Sequence, residues 1–482
     1  MKKTIAMLML LTMLVGIVGL TGCGGNDNGG AQGNFVVPES GFDTTTPVTI
    51  TFGHTMGANL QAVLQKAITR FNKIYPNITI EHSSKGGWSD INSTINTEIN
   101  GGNQPNIVYC YPDHVAMYNL AKAVVTLDEL IACDIAIGDT GEIIGLTEAQ
   151  KNDIIKSYYD EGLVYGDNLM YTMPISKSTE VLYYDKTFFE ENNLKVPTNW
   201  DELWEVCAQI KTLRPNDTPL GYDSEDNWFI TMCEQMKSGY TSASGDEKFL
   251  FDNDTNKAFI KQLREYYEKG YFTTQELHGG YTSNLFTNQD TTTSRCYMCI
   301  GSTGGASYQI PKTTDADGNT TYAFEVGVAP VPQYDANNKK VISQGPSVCI
   351  LKDKNTSDQE IIASWLFVKF LTTDVEFQAE FSMVSGYMPV LESVTENETY
   401  SKWLATADGR SNLTATVVKV GIEGRDTYYV SPAFNGSTTA RSQVGSLLLK
   451  CMSTKLSNGQ SVDDLINKAF SDAIDECEYQ AS

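Results

Sequence analysis

The chain has 482 residues, a formal net charge of −24 and 20% charged residues. A body of this length exceeds one compact core, so the sequence predicts two lobes or domains. A polyanion has no electrostatic attraction for nucleic acid, which excludes that class of partner. We interpret the negative charge as a feature that keeps the protein soluble.

The N-terminus has the features of a secretory signal. Two lysines precede an apolar run over residues 5–20, and this run is too short to predict a transmembrane helix. The run ends in Leu-Thr-Gly-Cys at residues 20–23, which resembles the bacterial lipobox, where the cysteine thiol is acylated and becomes the new N-terminus. The alternative is an ordinary signal peptide that contains a cysteine by chance. We therefore expect a signal peptide over 1–22 and a lipid on Cys23.

The segment that follows the signal predicts a tether. Residues 23–45 begin with a run of glycine and asparagine that has little to bury, and such a chain behaves as a flexible coil. No later run is long and apolar enough to cross a bilayer. We therefore expect a lipid-anchored body at the outer face of the cytoplasmic membrane, in the bacterial cell envelope.

The first part of the body alternates strand and helix. Strands are predicted by the alternation of apolar and polar residues, and helices by apolar residues that recur at steps of three and four. The predicted strands are 48–52, 78–80 and 106–110, and the predicted helices between them are 60–71 and 91–99. This order predicts a mostly parallel sheet with helices on both faces, which is an α/β fold.

The same alternation returns in the second part of the body. Residues 181–184 form a predicted strand, and Thr198 is expected to cap the next helix with Asp201 at the reciprocal position. The remaining predicted elements are a helix over 256–269, the tip of a polar hairpin over 315–321, and two helices that begin with capping boxes at 357–360 and 373–376.

The nine cysteines that remain after Cys23 do not indicate a metal centre. Several lie in apolar runs, where cysteine packs as a small hydrophobic residue. Cys296 and Cys299 have CxxC spacing, but their segment is predicted to be a strand, and it has no second cysteine pair and no nearby histidine. We expect no metal and no cofactor.

Several stretches along the body carry a resemblance to one family. They include Val-Leu-Tyr-Tyr-Asp-Lys at 181–186, Val-Pro-Thr-Asn-Trp-Asp-Glu-Leu at 196–203, Gly-Val-Ala-Pro-Val-Pro at 327–332, Ala-Ser-Trp-Leu-Phe-Val-Lys-Phe-Leu at 363–371 and Gly-Tyr-Met-Pro-Val at 386–390. In order and spacing they resemble the family 1 extracellular solute-binding proteins, the group that contains maltose-binding protein. The resemblance runs from about residue 48 to the C-terminus.

This resemblance implies a two-lobed periplasmic-binding-protein-like fold of type II, with a hinge between the lobes. The expected N-terminal lobe comprises 46–170 plus 331–388, and the expected C-terminal lobe comprises 171–330 plus 389–482. The lobes of such proteins close on a ligand and remove it from water.

The resemblance also implies a function. The landmark at 386–390 and the glycine-rich loop at 301–305 favour the branch that holds glycerol-3-phosphate-binding proteins and many sugar binders. We expect a monomeric subunit of an ABC importer that captures a neutral mono- or oligosaccharide and delivers it to the permease subunits. Glycerol 3-phosphate or a phosphodiester is the alternative ligand, and a ligand sensor coupled to a membrane kinase is the alternative role.

A sugar site needs aromatic plates for the C–H faces and short polar side chains for the hydroxyls. The resemblance assigns ligand-facing positions to Trp88, Asp113, Ser178, Thr179, Trp228, Ser302, Thr303, Gly345, Tyr387 and Arg441. Trp228 fits either a ligand contact or the core. Asp113 stands where the glycerol-3-phosphate branch has a glutamate, so the ligand need not be that of the branch.

The sequence gives no support to an enzyme. The four histidines, at positions 54, 82, 114 and 278, are scattered and form no HExxH motif, and there is no GxSxG nucleophile elbow. A glycosidase needs two carboxylates that flank one bond, but 59 acidic residues always supply some pair. We therefore predict binding without catalysis.

Overall fold

The computed structural model describes residues 35–290, 292–457 and 459–481, so the signal peptide, Cys23 and residues 23–34 of the tether lie outside the described residues. The strands are β1 (Val48–His54), β2 (Ile78–Ser84), β3 (Ile107–Cys110), β4 (Met173–Pro174), β5 (Ser178–Asp185), β6 (Leu220–Tyr222), β7 (Phe272–Thr274), β8 (Met298–Ser302), β9 (Lys312–Thr314), β10 (Thr320–Tyr322), β11 (Val326–Pro330), β12 (Val341–Gln344), β13 (Ser347–Ile350) and β14 (Tyr428–Tyr429).

The α-helices are α1 (Ala58–Ile74), α2 (Trp88–Gly101), α3 (Pro112–Tyr118), α4 (Asp128–Ala132), α5 (Glu148–Asp153), α6 (Lys156–Asp160), α7 (Lys186–Glu191), α8 (Trp200–Leu213), α9 (Glu225–Met236), α10 (Asp254–Glu268), α11 (Gln275–His278), α12 (Ser283–Phe286), α13 (Asp358–Thr373), α14 (Val375–Ser385), α15 (Glu398–Leu404), α16 (Leu413–Gly424), α17 (Ser437–Ser453) and α18 (Val462–Ala481). Within the described part, no helix combines the length and the apolar character that a bilayer crossing requires.

The first lobe is built on a five-stranded sheet in the order β2-β1-β3-β13-β4. β1 pairs in parallel with β2 and with β3, as the strand and helix alternation predicts. The buried stripe of α1, which includes Leu64, Ile68 and Phe71, packs in the core of this lobe. β13 then joins the sheet antiparallel to β3 and to β4. The parallel sheet predicted for this segment is confirmed.

The second lobe is built on a mixed sheet in the order β14-β12-β5-β8-β6-β7, with β11 also paired to β5. β5 is central, because β8, β11 and β12 all run antiparallel to it. A separate antiparallel hairpin, β9 and β10, confirms the polar hairpin that the sequence predicts. Helices α17 and α18 pack with α9 and α10 on this lobe.

The chain crosses between the two sheets at 175–177 and again at 345–346. β4 belongs to the first sheet and β5 to the second, while β12 belongs to the second sheet and β13 to the first. The strands therefore change sheets later than the boundaries expected at 170/171 and 330/331. The return crossing in particular is delayed, because β12 still pairs with β5 through Ser343 and Gln344.

Helix caps correct the sequence analysis by one residue in two places. Asn199, and not Thr198, caps α8, because its Oδ1 accepts from the Glu202 backbone N–H at 2.9 Å. Asp374, and not residue 373, caps α14 in the same way. Asparagine and aspartate are better caps than threonine, which explains both shifts. The capping box predicted to begin at Ser357 is confirmed in α13.

Candidate ligand-binding cleft

Two neighbouring cavities lie where residues of both lobes meet, and they share Trp88, Tyr111 and Gln344. The cavity that we call the arginine cavity has a volume of about 450 Å³ and is lined in part by Asp113, Glu161, Asp226, Ser343, Ser431 and Arg441. The cavity that we call the glycine-loop cavity has a volume of about 600 Å³ and is lined in part by Ser178, Glu180, Asp223, Ser302, Gly304 and Tyr387. Volumes of this size are typical of small-molecule sites.

An aromatic wall from the first lobe borders both cavities. Trp88 begins α2, just after β2, and Tyr111 follows β3 directly. The two rings are stacked, with centroids 4.2 Å apart and an angle of 24° between their planes. Because parallel strands end at one edge of the sheet, residues that follow β2 and β3 are brought together there. Stacked rings of this kind present a flat apolar face to a ligand.

Tyr387 connects the aromatic wall to the second lobe. Burial raises the pKa of its hydroxyl, while a hydrogen bond with the Trp88 side chain acts in the opposite direction. Its ring lies against the backbone of Gly304, where an added Cβ would come within 2.9 Å of the Tyr387 Cζ atom. Such an approach is shorter than a real carbon contact, so a side chain at position 304 would force the tyrosine ring to shift.

The arginine cavity contains a charged cluster that joins three helices. The Arg441 Nη1 atom lies 2.7 Å from Asp226 Oδ2 and 2.7 Å from Asn227 Oδ1, and its Nε atom lies 3.9 Å from Asp113 Oδ2. Burial alone would lower the pKa of Arg441, but Asp226 and Asp113 raise it. Burial alone would raise the pKa of Asp226, yet Arg441 holds it below the usual range. The cluster is therefore ionic, and the charge of the arginine is already matched.

The glycine-loop cavity contains two carboxyl groups that are harder to ionise. Burial raises the pKa of Glu180 to about 7, although hydrogen bonds from Tyr222 and Asn227 act against the rise. Burial also raises the pKa of Asp223, against hydrogen bonds from the Thr282 hydroxyl and backbone N–H. With a pKa of about 7, the Glu180 carboxyl carries only part of its negative charge near neutral pH.

The family scan matches residues 66–407 to the model described as bacterial extracellular solute-binding protein. This chain belongs to that family. Members of the family are binding proteins and not enzymes, in agreement with the sequence analysis. Within the described ranges, no three His, Cys, Asp or Glu side chains come together in a way that could hold a metal ion.

Two curated relatives of this solute-binding protein have names that differ in ligand class. It is 26% identical over 211 residues to the multiple sugar-binding protein of Streptococcus mutans, and the match covers 43% of this chain and 44% of that protein. It is 26% identical over 363 residues to the sn-glycerol-3-phosphate-binding periplasmic protein UgpB of Salmonella typhimurium, covering 72% and 75% of the two chains. The chain thus spans less than half of the first relative and three quarters of the second.

Solved structures confirm the two-lobed fold of this solute-binding protein. UgpB from Mycobacterium tuberculosis in complex with glycerophosphocholine has a TM-score of 0.67 at 16% identity, and the match covers 91% of this chain and 100% of that chain. An ABC substrate-binding protein from Listeria monocytogenes in complex with cycloalternan has a TM-score of 0.66 at 16% identity, with 90% and 98% covered. The predicted α/β fold with two lobes is confirmed.

Six of the ten residues expected to face the ligand line the cleft of this solute-binding protein. They are Trp88, Asp113, Ser178, Ser302, Tyr387 and Arg441. Their side chains come from both lobes and from the last stretch of the chain, as the resemblance implies. Whether each one contacts a ligand stays a prediction.

The other four expected residues do not line either cavity. Trp228 is fully buried in the second lobe and stacks on Tyr222, with centroids 4.6 Å apart, so the structure places it in the core. Thr179 and Thr303 are buried and contact each other, since the Thr179 N–H lies 3.4 Å from Thr303 Oγ1. Gly345 has a φ of 101°, and an added Cβ would lie 2.7 Å from the Ser176 carbonyl oxygen. Gly345 therefore allows the crossing segments to pack closely.

Several residues that line the cleft were not predicted from the sequence, among them Tyr111, Glu180 and Glu161. Tyr111 follows the third strand directly, which is a signal that could have found it. Glu180 lies two residues after Ser178 on the same strand, and side chains two apart share a face. Glu161 lies in a short 3₁₀ helix, Glu161–Leu163, in a segment with no pattern to mark it.

Proposed function

We propose that this protein is the lipid-anchored solute-binding subunit of an ABC importer, and that it captures a neutral mono- or oligosaccharide between its lobes for delivery to the permease. The observation that carries the proposal is the charge of the cleft. Three carboxyl groups line the arginine cavity and two line the glycine-loop cavity, whereas Arg441 is the one lysine or arginine that lines either cavity among the described residues.

The cations near the cleft are already paired with carboxylates. Arg441 is matched by Asp226 and Asp113. Lys177 is fully buried, and its Nζ atom lies 2.6 Å from Glu161 Oε1. His114 also lines the arginine cavity, but burial lowers its pKa, which favours the neutral ring. A phosphate would have to be buried with no free cation from the described residues, which is costly.

A neutral sugar fits the same cleft without this cost. Hydroxyl groups donate hydrogen bonds to carboxylates, and the two cavities supply five carboxyl groups. The stacked rings of Trp88 and Tyr111 offer a plate for an apolar sugar face. The sugar-binding name of the Streptococcus mutans relative and the cycloalternan bound by the Listeria protein support this ligand class.

The UgpB relatives support the alternative ligands, glycerol 3-phosphate and its diesters. A thermal-shift screen of the purified body separates the two classes. The saccharide arm contains glucose, maltose, maltotriose, cellobiose, xylobiose and raffinose, and the other arm contains glycerol 3-phosphate and glycerophosphocholine. A ligand at about 100 times its Kd adds about 2.7 kcal/mol of stability. We expect a saccharide to raise the melting temperature and to be recovered unchanged.

A shift by the phosphate esters alone would refute the carbohydrate assignment, and conversion of a saccharide to products would refute binding without catalysis. The genomic neighbourhood tests the role in import. Two permease genes beside this one favour an importer, whereas a histidine kinase gene favours the sensor. Light scattering on the purified body tests the expectation of a monomer.

A further inference from the structure

Glu161 is a buried carboxylate that uses only one of its two oxygens within the protein. Its side chain is 3% exposed, and it lines the arginine cavity. Oε1 lies 2.6 Å from Lys177 Nζ and accepts from the Ser347 hydroxyl at 3.4 Å. Oε2 is buried and has no hydrogen-bond partner among the described residues.

A buried oxygen without a donor is costly, and the cost is larger for a charged group. Lys177 neutralises the charge of Glu161 but leaves Oε2 without a donor. Ser343 and Ser431 line the same cavity, and their hydroxyl oxygens are also buried without a partner among the described residues. Ser343 lies on β12 and Ser431 follows β14, so both come from the second lobe.

We propose that these three side chains form a subsite for one hydroxyl-bearing end of the ligand, with Glu161 Oε2 as its charged acceptor. The proposal rests on the proposed function and specifies where the sugar is held. Oε2 accepts a hydrogen bond from a sugar hydroxyl, and the Ser343 and Ser431 hydroxyls donate to or accept from neighbouring hydroxyls. A carboxylate or phosphate at this end of the ligand is rejected, because it would face Oε2.

The subsite is connected to the segments that join the lobes. Lys177 belongs to the first crossing segment, and its backbone pairs with Met388, whose carbonyl accepts from the Lys177 N–H at 2.9 Å. One carboxylate thus contacts the ligand through Oε2 and the crossing segment through Oε1. A ligand hydroxyl at Oε2 is held at a fixed place relative to the crossing, where the two lobes meet.

The test is calorimetric titration of the unchanged protein and of Glu161→Gln. The probes are the saccharide of the screening panel that gives the largest thermal shift and its monodeoxy derivatives. We expect Glu161→Gln to weaken binding of the parent sugar by about 10- to 100-fold, as for a lost hydrogen bond to a charged group. One monodeoxy derivative should bind the unchanged protein more weakly than the parent sugar does. Glu161→Gln should bind that derivative and the parent sugar with equal affinity.

The control is Glu142→Gln, which replaces a more exposed carboxylate that lies 3.4 Å from another buried lysine, Lys369, and does not line the cleft. This control variant should bind the parent sugar with the affinity of the unchanged protein and should rank the monodeoxy derivatives in the same order. If Glu161→Gln does not fold, Ser343→Ala and Ser431→Ala replace it, and each should abolish discrimination against one monodeoxy derivative.

If the unchanged protein and Glu161→Gln bind the parent sugar with equal affinity, the proposed subsite is wrong. It is also wrong if each monodeoxy derivative loses the same affinity, relative to the parent sugar, in both proteins. In the serine variants, unchanged discrimination against every derivative has the same meaning. If no saccharide binds the unchanged protein, the carbohydrate assignment itself fails. That outcome is distinct, because it precedes any comparison of variants.

Discussion

Replacing Glu180 by glutamine is expected to favour folding increasingly as the pH rises from 5 to 8. Glu180 is 2% exposed, and burial raises the pKa of its carboxyl group from 4.5 to about 7. Between these two values the folded protein holds a proton that the unfolded chain has released, so the folded state loses stability as the pH rises. Glutamine does not ionise, and the variant escapes this loss.

The size of the effect follows from the separation of the two pKa values. At about 1.36 kcal/mol for each pH unit, a rise from 4.5 to about 7 costs the folded state about 3 kcal/mol above pH 7. The Tyr222 hydroxyl at 2.5 Å and the Asn227 amide at 2.9 Å stabilise the charged form, and their effect is contained in the value of about 7. Glutamine also alters these two hydrogen bonds, but that change does not depend on pH.

The measurement is urea unfolding of both proteins at pH 5, 6, 7 and 8. We expect the free energy of unfolding of Glu180→Gln, relative to the unchanged protein, to increase by about 2–3 kcal/mol over this range. Glu202→Gln is the control, because this exposed carboxyl has a lowered pKa, due to hydrogen bonds from Thr198, and stays ionised throughout. A difference for Glu180→Gln that is constant with pH would refute the reasoning, and so would an equal trend in the control.

Three further predictions concern the ligand, the core and the anchor. Asp113→Asn should weaken binding of a neutral saccharide and strengthen binding of a phosphate ester, measured by calorimetry, and the opposite pair of changes would contradict the proposed ligand class. Trp228→Ala should lower the free energy of unfolding by about 3–5 kcal/mol while the folded protein keeps its saccharide affinity, and a selective loss of affinity would return Trp228 to the site. Cys23→Ala should abolish partitioning into detergent, and unchanged partitioning would exclude the lipid.

The fold could be predicted from the sequence wherever apolar residues recur with a clear period. The first lobe follows from alternating strands and from the regular apolar stripe of α1. The return crossing was harder to place, because β12 is only four residues long, Val341–Gln344, which is too short to show a clear alternation. Pairing with β5, which is distant in sequence, decides its position.

Some of the residues that line the cleft were predicted from the sequence, and those predicted residues that lie elsewhere do so for physical reasons. On β5 the side chains alternate, so Ser178 and Glu180 line the cleft while Thr179 faces away from it. Trp228 lies one residue after Asn227, which lines the glycine-loop cavity, but on a helix that step turns it into the core. The family resemblance indicates which segments lie near the ligand. Packing decides which side chains of a segment face the cleft and which face the core.

The contact between Tyr387 and Gly304 has a consequence for how this site can change over evolutionary time. A side chain at position 304 would collide with the tyrosine ring, whose Cζ atom lies 2.9 Å from the place of an added Cβ. A smaller residue at 387 would remove that collision and release position 304. We therefore expect the two positions to change together among descendants of this protein, and a lineage that exchanges both would acquire a cleft of different shape and a different preference for ligands.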